Sequence, residues 1–311
     1  MILPLIREGT AGCTGGEFCG RAGLLRHAGK IFCLRDTKLL GANLYGADLY
    51  GADLTGANLH EANLKKATLY EVNLTGANLQ EAFLQDTKLL CVKLEKANLL
   101  GADLTGANLQ REDLRDAKLN GANLYGANLE QADLAGTEQQ NANLQEANLY
   151  GANLERSNLA GASLGGACLI EANLQGADLR DAKLNGANLY GANLRGANLQ
   201  GVNLAGANLP VVNLAGANLA GTELQNANLG GADLREARLE RSNLAGANLP
   251  EVNLACANLG GADLRGANLD GANLDGAKYC THPDAFTAFP DEFNPKEHGM
   301  IEVDEYGNPV A

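Results

Sequence analysis

Leucine recurs in this chain every five residues. In residues 41–59, GANLYGADLYGADLTGANL, Leu44, Leu49, Leu54 and Leu59 sit five apart, and an alanine precedes each by two. From Leu34 to Leu274 there are 49 such slots; 48 hold leucine and the exception is Gln139. The position two before the leucine is nearly always alanine, otherwise small or branched, as at Val72, Val92, Ser157, Val202 and Thr222. Asn or Asp usually stands just before the leucine, and glycine most often follows it by two. A repeat of this length marks one continuous array with two ends, not a set of globular domains.

Neither regular element buries such a pattern. On an α-helix five residues advance by about 500°, so each leucine lies about 140° from the last and the set spirals around the axis. On a flat strand side chains alternate, so successive leucines point to opposite faces. They share one core only if the chain turns a corner every pentapeptide. A right-angle corner closes a coil in four repeats; a wider one closes it in three. A larger inward residue crowds the coils above and below, so such residues should gather in columns. Non-alanine residues in the alanine slot pair five times at a spacing of twenty, as Val72–Val92, Val92–Glu112, Thr137–Ser157, Val202–Thr222 and Thr222–Ser242, and once at fifteen, as Val72–Thr87. The columns favour twenty residues per coil. Leucine then fills the centre and alanine lets the chain pass close. Asn or Asp bonds nearby backbone, and glycine frees the corner φ. Stacked coils pair as short parallel strands about 4.8 Å apart. Each buried leucine contributes roughly 1.5–3 kcal/mol, and no repeat is stable without its neighbours.

The pattern divides the chain into a segment 1–29, an array 30–279 and a tail 280–311. Residues 1–20 are rich in glycine, with little apolar pattern, and are expected to be mobile. RAGLLRHAGKIFCL predicts a short helix or turn leading into Phe32 and Leu34. A solenoid exposes strand edges at its ends, and natural ones cover them. Tyr279, Phe286, Phe289 and Phe293 are therefore expected to cap the last coil at Leu274.

Composition narrows the function. No apolar run approaches the ~20 residues of a membrane span, and MILPLIREG has the wrong flank for a secretory signal. The seven cysteines form no CxxC pair, which points to free thiols in a reducing compartment, without a zinc site. A cytoplasmic protein is expected. The net charge of −13 divides as +2 for residues 1–33, −9 for 34–278 and −6 for 279–311. About twelve coils span roughly 58 Å, and duplex DNA of that length carries roughly 34 charges. The array thus has about a quarter of DNA's charge density, poor mimicry of DNA, while an acidic surface also repels nucleic acid.

Candidate chemistry is sparse. A leucine-filled array offers no pocket for a convergent catalytic set, so no catalytic, cofactor or metal residues are assigned. The four histidines are scattered, and only His60 lies in the array; a surface histidine is the plain reading. GTAGCTGGEFCG lacks the lysine and the preceding strand of a phosphate loop. Glu112, in REDLRDAKL, occupies an inward alanine slot, where a carboxylate needs a partner; local splaying with a water, Arg111 or Arg115 is expected. Gln139, in TEQQNANL, replaces a central leucine. Six tyrosines directly follow a leucine and face outward: Tyr45, Tyr50, Tyr70, Tyr125, Tyr150 and Tyr190. In a four-sided coil Tyr50, Tyr70, Tyr150 and Tyr190 share one face and Tyr45 and Tyr125 the next. Tyrosine is enriched at protein interfaces, although it also suits any β surface.

The motif A(N/D)LxG over these slots resembles the pentapeptide-repeat family, and FPDEFNPKEHGM at 289–300 resembles the ends of cyanobacterial members. The resemblance implies an all-β fold, a right-handed quadrilateral parallel β-helix of about twelve four-sided coils with short caps at both ends. It brings no catalytic residues or cofactor. Better-understood members bind other proteins, and one branch mimics DNA to occupy type II topoisomerases. The expectation is a non-enzymatic structural or protein-binding rod, with a protein as partner, no nucleic acid, no membrane, and a homodimer through a solenoid end as one assembly. A DNA-mimicking modulator of gyrase is the alternative.

Overall fold

The computed structural model describes residues 33–310. The expected N-terminal segment 1–29, with its helix or turn and Phe32, lies outside the described residues. The chain divides into two compact units, Met1–Asn153 and Leu154–Ala311. The sequence offered no boundary there, because the five-residue pattern runs on unchanged through Asn153 and Leu154.

Within each unit every pentapeptide contributes one bridging residue and a two-residue turn. In the first unit Asn43 bridges Asn63, Asp48 bridges Thr68, Asp53 bridges Asn73 and Asn58 bridges Asn78, all parallel and all twenty residues apart. In the second unit Asn188, Asn208, Asn228 and Asn248 bridge in the same step. Four pentapeptides therefore separate hydrogen-bonded neighbours, the spacing the valine columns predicted.

One pentapeptide explains its own composition. Asn63 N–H donates to the Ala42 carbonyl at 2.9 Å, Leu64 N–H to Phe83 at 2.8 Å and Lys66 N–H to Gln85 at 3.1 Å. Ala67 N–H closes the corner onto the Leu64 carbonyl at 2.9 Å. The fifth donor, Lys65 N–H, finds the Asn63 side chain, Oδ1, at 3.2 Å. Backbone donors must be paired or wet, and an Asx side chain two residues back serves the one donor the coil does not.

The same asparagines do something the sequence did not announce. Their amides stack in columns, each Nδ2 donating to the Oδ1 twenty residues earlier. In the first unit Asn148 bonds Asn128 and Asn128 bonds Asn108, each at 3.2 Å. In the second, Asn208, Asn228, Asn248 and Asn268 continue a column from Asn188 at 3.1–3.3 Å. Asparagine carries both donor and acceptor, so it ladders where aspartate cannot.

Leucine and alanine are fully buried along both units, as at Leu54, Ala57, Leu194 and Ala197. Inward hydroxyls bond locally: Thr137 Oγ1 donates to the Leu134 carbonyl at 2.7 Å, and Thr222 Oγ1 to Leu219 at 2.7 Å. The corner residue, two after the leucine, takes a left-handed conformation whether or not it is glycine: φ is +63° at Gly46, +57° at Lys66 and +55° at Val211. A β-branched residue there is strained.

The second unit ends in an irregular closing turn. Strand β1, Lys278–Cys280, pairs in parallel with β2, Ile301–Val303. Between them Asp263 bridges Ala288, twenty-five residues on, and Gly276 N–H donates to the Gly299 carbonyl at 2.9 Å. Tyr279 is buried and meets Phe289 edge-on at 5.9 Å. Phe289 stacks on Phe293 at 5.0 Å, and Phe293 on His298 at 4.4 Å. Phe286 departs from the expectation: it is 57% exposed. Neighbours on an extended segment point to opposite sides, and Thr287 takes the inward place. Its Oγ1 donates to the Leu259 carbonyl at 2.9 Å and accepts the Cys280 N–H at 3.0 Å. Leu269 and Ala272 are left half-buried.

Two outcomes are expected. Val211→Gly should raise the melting temperature of the second unit, because relief of about 1–2 kcal/mol of left-handed strain outweighs the roughly 0.5–1 kcal/mol entropic cost of glycine; a lower midpoint in thermal unfolding contradicts this. Deleting residues 281–311 should bare a strand edge and promote aggregation, read by light scattering; a monomeric truncation with unchanged melting refutes the cap.

Candidate interaction surface

Each of the six tyrosines follows an inward leucine and opens a turn, so its ring stands on the outer wall. Tyr45, Tyr50, Tyr125 and Tyr190 are 40–53% exposed, while Tyr70 and Tyr150 are half-buried. In the first unit the twenty-residue register puts Tyr50, Tyr70 and Tyr150 in one column and Tyr45 and Tyr125 on the neighbouring side. Tyr190 belongs to the second unit. Two rings are pinned by glutamates that the sequence reading missed. Tyr50 Oη donates to Glu71 Oε1 at 2.9 Å, and Tyr125 Oη to Glu146 Oε2 at 2.7 Å. The bond to Glu146 pushes the Tyr125 hydroxyl up. The available signal was a glutamate twenty-one residues after each tyrosine, one coil up at the next corner.

Lys65 Nζ lies 5.2 Å from the centre of the exposed Phe83 ring. Four arginines are spent on neighbouring carboxylates. In each DLR triplet the arginine folds back onto the aspartate: Arg115 on Asp113, Arg180 on Asp178, Arg235 on Asp233 and Arg265 on Asp263, all with Nη2–Oδ2 at 2.6 Å. The guanidinium bond holds each of these aspartates below the usual carboxylate range. Exposed pairs add little stability, but they cancel surface charge.

Glu112 is buried, and the ladder opens beside it: the Asn108 and Asp113 N–H groups do not bond the Thr87 and Val92 carbonyls, and Val92 N–H does not close its corner onto Leu89. Glu112 Oε1 accepts the Cys91 N–H of the preceding coil at 2.8 Å, while its own carbonyl still receives Asp133 N–H at 2.9 Å. The expected arginine partners are engaged elsewhere, Arg111 with Gln131 at 2.9 Å and Arg115 with Asp113. Burial pushes the carboxyl above its usual range, opposed by the N–H groups of Cys91 and Val92. Gln139 is fully buried; its Nε2 donates to Thr137 Oγ1 at 2.6 Å, and its Oε1 has no partner. No titratable group accompanies that bond.

Cys91, Cys168, Cys256 and Cys280 are free thiols. In the second unit the closing segment adds a groove of about 380 Å³ lined by Arg238, Glu240, Arg241, Asn258, Glu305 and Tyr306. The repeat pattern predicts no pocket; this one is lined by both the repeats and the closing segment. Glu240 Oε1 accepts from Asn258 Nδ2 at 3.0 Å and Arg238 Nε at 3.3 Å, so these charges are mutually engaged. Beside it His282 Nδ1 lies 3.2 Å from Glu305 Oε2 and 3.8 Å from Asp284 Oδ2. No helix among the described residues is long and apolar enough to cross a membrane.

A family described as pentapeptide repeats matches in eight copies within residues 33–278. Among solved structures, HetL of the cyanobacterium Nostoc sp. strain PCC 7120, a protein involved in heterocyst differentiation regulation, is 34% identical over 69% of this chain and 93% of its own, with a TM-score of 0.35. The alr5209 protein of Nostoc PCC 7120 is 34% identical over 37% of this chain and 84% of its own, with a TM-score of 0.20. QnrB1, a plasmid-mediated fluoroquinolone resistance protein, is 17% identical over 83% of this chain and 90% of its own, with a TM-score of 0.22. No curated protein matches.

The raised Glu112 carboxyl sets a pH dependence. The folded chain holds this proton to higher pH than the unfolded chain does. Its contribution is therefore full below the ordinary carboxylate range and is lost as pH rises through the raised value. Glu112→Gln keeps the acceptor for Cys91 N–H and removes the charge. It should melt higher than the parent at about pH 7, with the difference closing towards about pH 4. Equal melting at both values contradicts the assignment.

Proposed function

Because the chain belongs to the pentapeptide-repeat family, we propose that it acts without catalysis, as a structural or protein-binding solenoid of right-handed, four-sided coils. The twenty-residue bridge spacing supports four sides, and the 49 slots then make about twelve coils. The observation that carries the binding role is the exposed tyrosine wall of the first unit, where Tyr50 and Tyr125 are held by glutamates. A pinned aromatic loses little entropy on contact, and such residues anchor interfaces. The partner in this reading is another protein, met in the cytoplasm, where free thiols persist.

DNA mimicry is the weaker reading. A mimic needs a dense row of unpaired carboxylates, whereas four of the array's aspartates are covered by their own arginines. Nucleic acid itself is disfavoured by the net charge of −13.

The joint substitution Tyr45→Ser, Tyr50→Ser and Tyr70→Ser should weaken a partner captured from the native cell at least tenfold. It should leave melting nearly unchanged, since surface substitutions stay within about 0.5 kcal/mol. Equal capture by the variant ends the binding reading in this form. Inhibition of gyrase supercoiling by the purified protein at low micromolar concentration would instead favour mimicry, and sedimentation of the same sample reads any dimer formed through an end.

A further inference from the structure

We propose that His282, Asp284 and Glu305 form a binding site for one divalent metal ion of the zinc class, which clamps the closing segment of the second unit. Among the described residues this is the group of His, Cys, Asp and Glu side chains whose ligand atoms all lie within 4.8 Å of one another.

The fold brings the three together from two segments. Strands β1 and β2 pair with Cys280 opposite Val303; two residues beyond the end of each strand stand His282 and Glu305. Thr281 Oγ1 donates to Glu302 Oε1 at 2.7 Å and ties the two segments at this point. Asp284 comes from the short 3-10 turn Pro283–Ala285, which His282 caps. Sequence spacing hides the set, because twenty-one residues separate Asp284 from Glu305.

The separations suit a shared ion. Zinc binds imidazole nitrogen and carboxylate oxygen at about 2.0–2.2 Å in a tetrahedron, which places ligand atoms about 3.3–3.6 Å apart. His282 Nδ1 stands 3.2 Å from Glu305 Oε2 and 3.8 Å from Asp284 Oδ2. Asp284 N–H donates to His282 Nδ1 at 3.4 Å, a long contact that an ion at this nitrogen would displace. Three acceptor atoms then face one another, an arrangement that needs a positive charge between them. A proton on the imidazole is the rival source of that charge. Imidazole with two carboxylates favours zinc-like ions over magnesium or calcium, which prefer all-oxygen sites. The tail carries −6 over residues 279–311 and draws cations. The side chains are exposed, so water completes the fourth position. An ion that binds only the folded tail stabilises it by mass action.

The test is calorimetric titration of zinc chloride into the metal-free, reduced full chain, with thermal melting alongside. One site per chain is expected, with a zinc-dependent rise in melting that magnesium at equal concentration does not give. His282→Ala and Glu305→Gln should each weaken the site at least about tenfold and abolish the melting rise, while Cys280→Ser keeps both. The far-UV spectra of both exposed-site variants report whether they remain folded. No zinc uptake, uptake equal in all variants, or loss only in Cys280→Ser overturns the proposal. A His282 ring whose NMR titration is unmoved by zinc also overturns it and leaves the proton as the charge between the three groups.

Discussion

A chain that turns a corner every five residues must place five backbone N–H groups per turn, and the coil itself can take only four. Three donate to carbonyls in neighbouring coils and one closes the corner, as at Asn63, Leu64, Lys66 and Ala67. The fifth faces outward, and the Asn63 side chain accepts it. Much of the repeat's composition follows from this accounting. Asn or Asp is placed where its oxygen reaches two residues ahead. Alanine sits where the corner bond brings backbone close to backbone. Leucine fills the space that four corners enclose, and the corner residue is forced left-handed.

Asparagine then outperforms aspartate for a second reason. Its amide nitrogen bonds the asparagine one coil away, so columns such as Asn188 to Asn268 run along the outer wall. These amides and the leucine core tie the same coils together, one from outside and one from inside. The remaining outward positions are free of structural duty, which is where tyrosines, lysines and DLR arms appear. Outer positions that carry neither the amide columns nor a corner can vary for recognition.

The twenty-residue step was legible in Val72, Val92 and Glu112, because inward bulk is felt by the next coil. The corner requirement was legible as glycine only in part. Lys66 and Val211 adopt the same left-handed geometry, since ladder bonds on both sides overrule local preference. The amide columns were not legible, because the backbone role alone accounts for asparagine. Glu112 was correctly read as inward, but its partner is the Cys91 N–H, a donor that residue identity does not announce. The tail was the least legible segment. Its strand register decides that Thr287 turns in and Phe286 turns out, and that His282 meets Glu305; neither follows from a five-residue pattern that has already ended.

The central claim is that neighbours along the wall are twenty residues apart. Disulfide cross-linking reads this spacing directly, in a background with the native cysteines replaced. Paired backbones about 4.8 Å apart fall within the roughly 4.4–6.8 Å that a disulfide spans between Cα atoms. Ala205→Cys with Gln225→Cys should cross-link rapidly on mild oxidation, while Ala205→Cys with Ala220→Cys should not. A bridge at the fifteen-residue spacing and none at twenty would contradict the account.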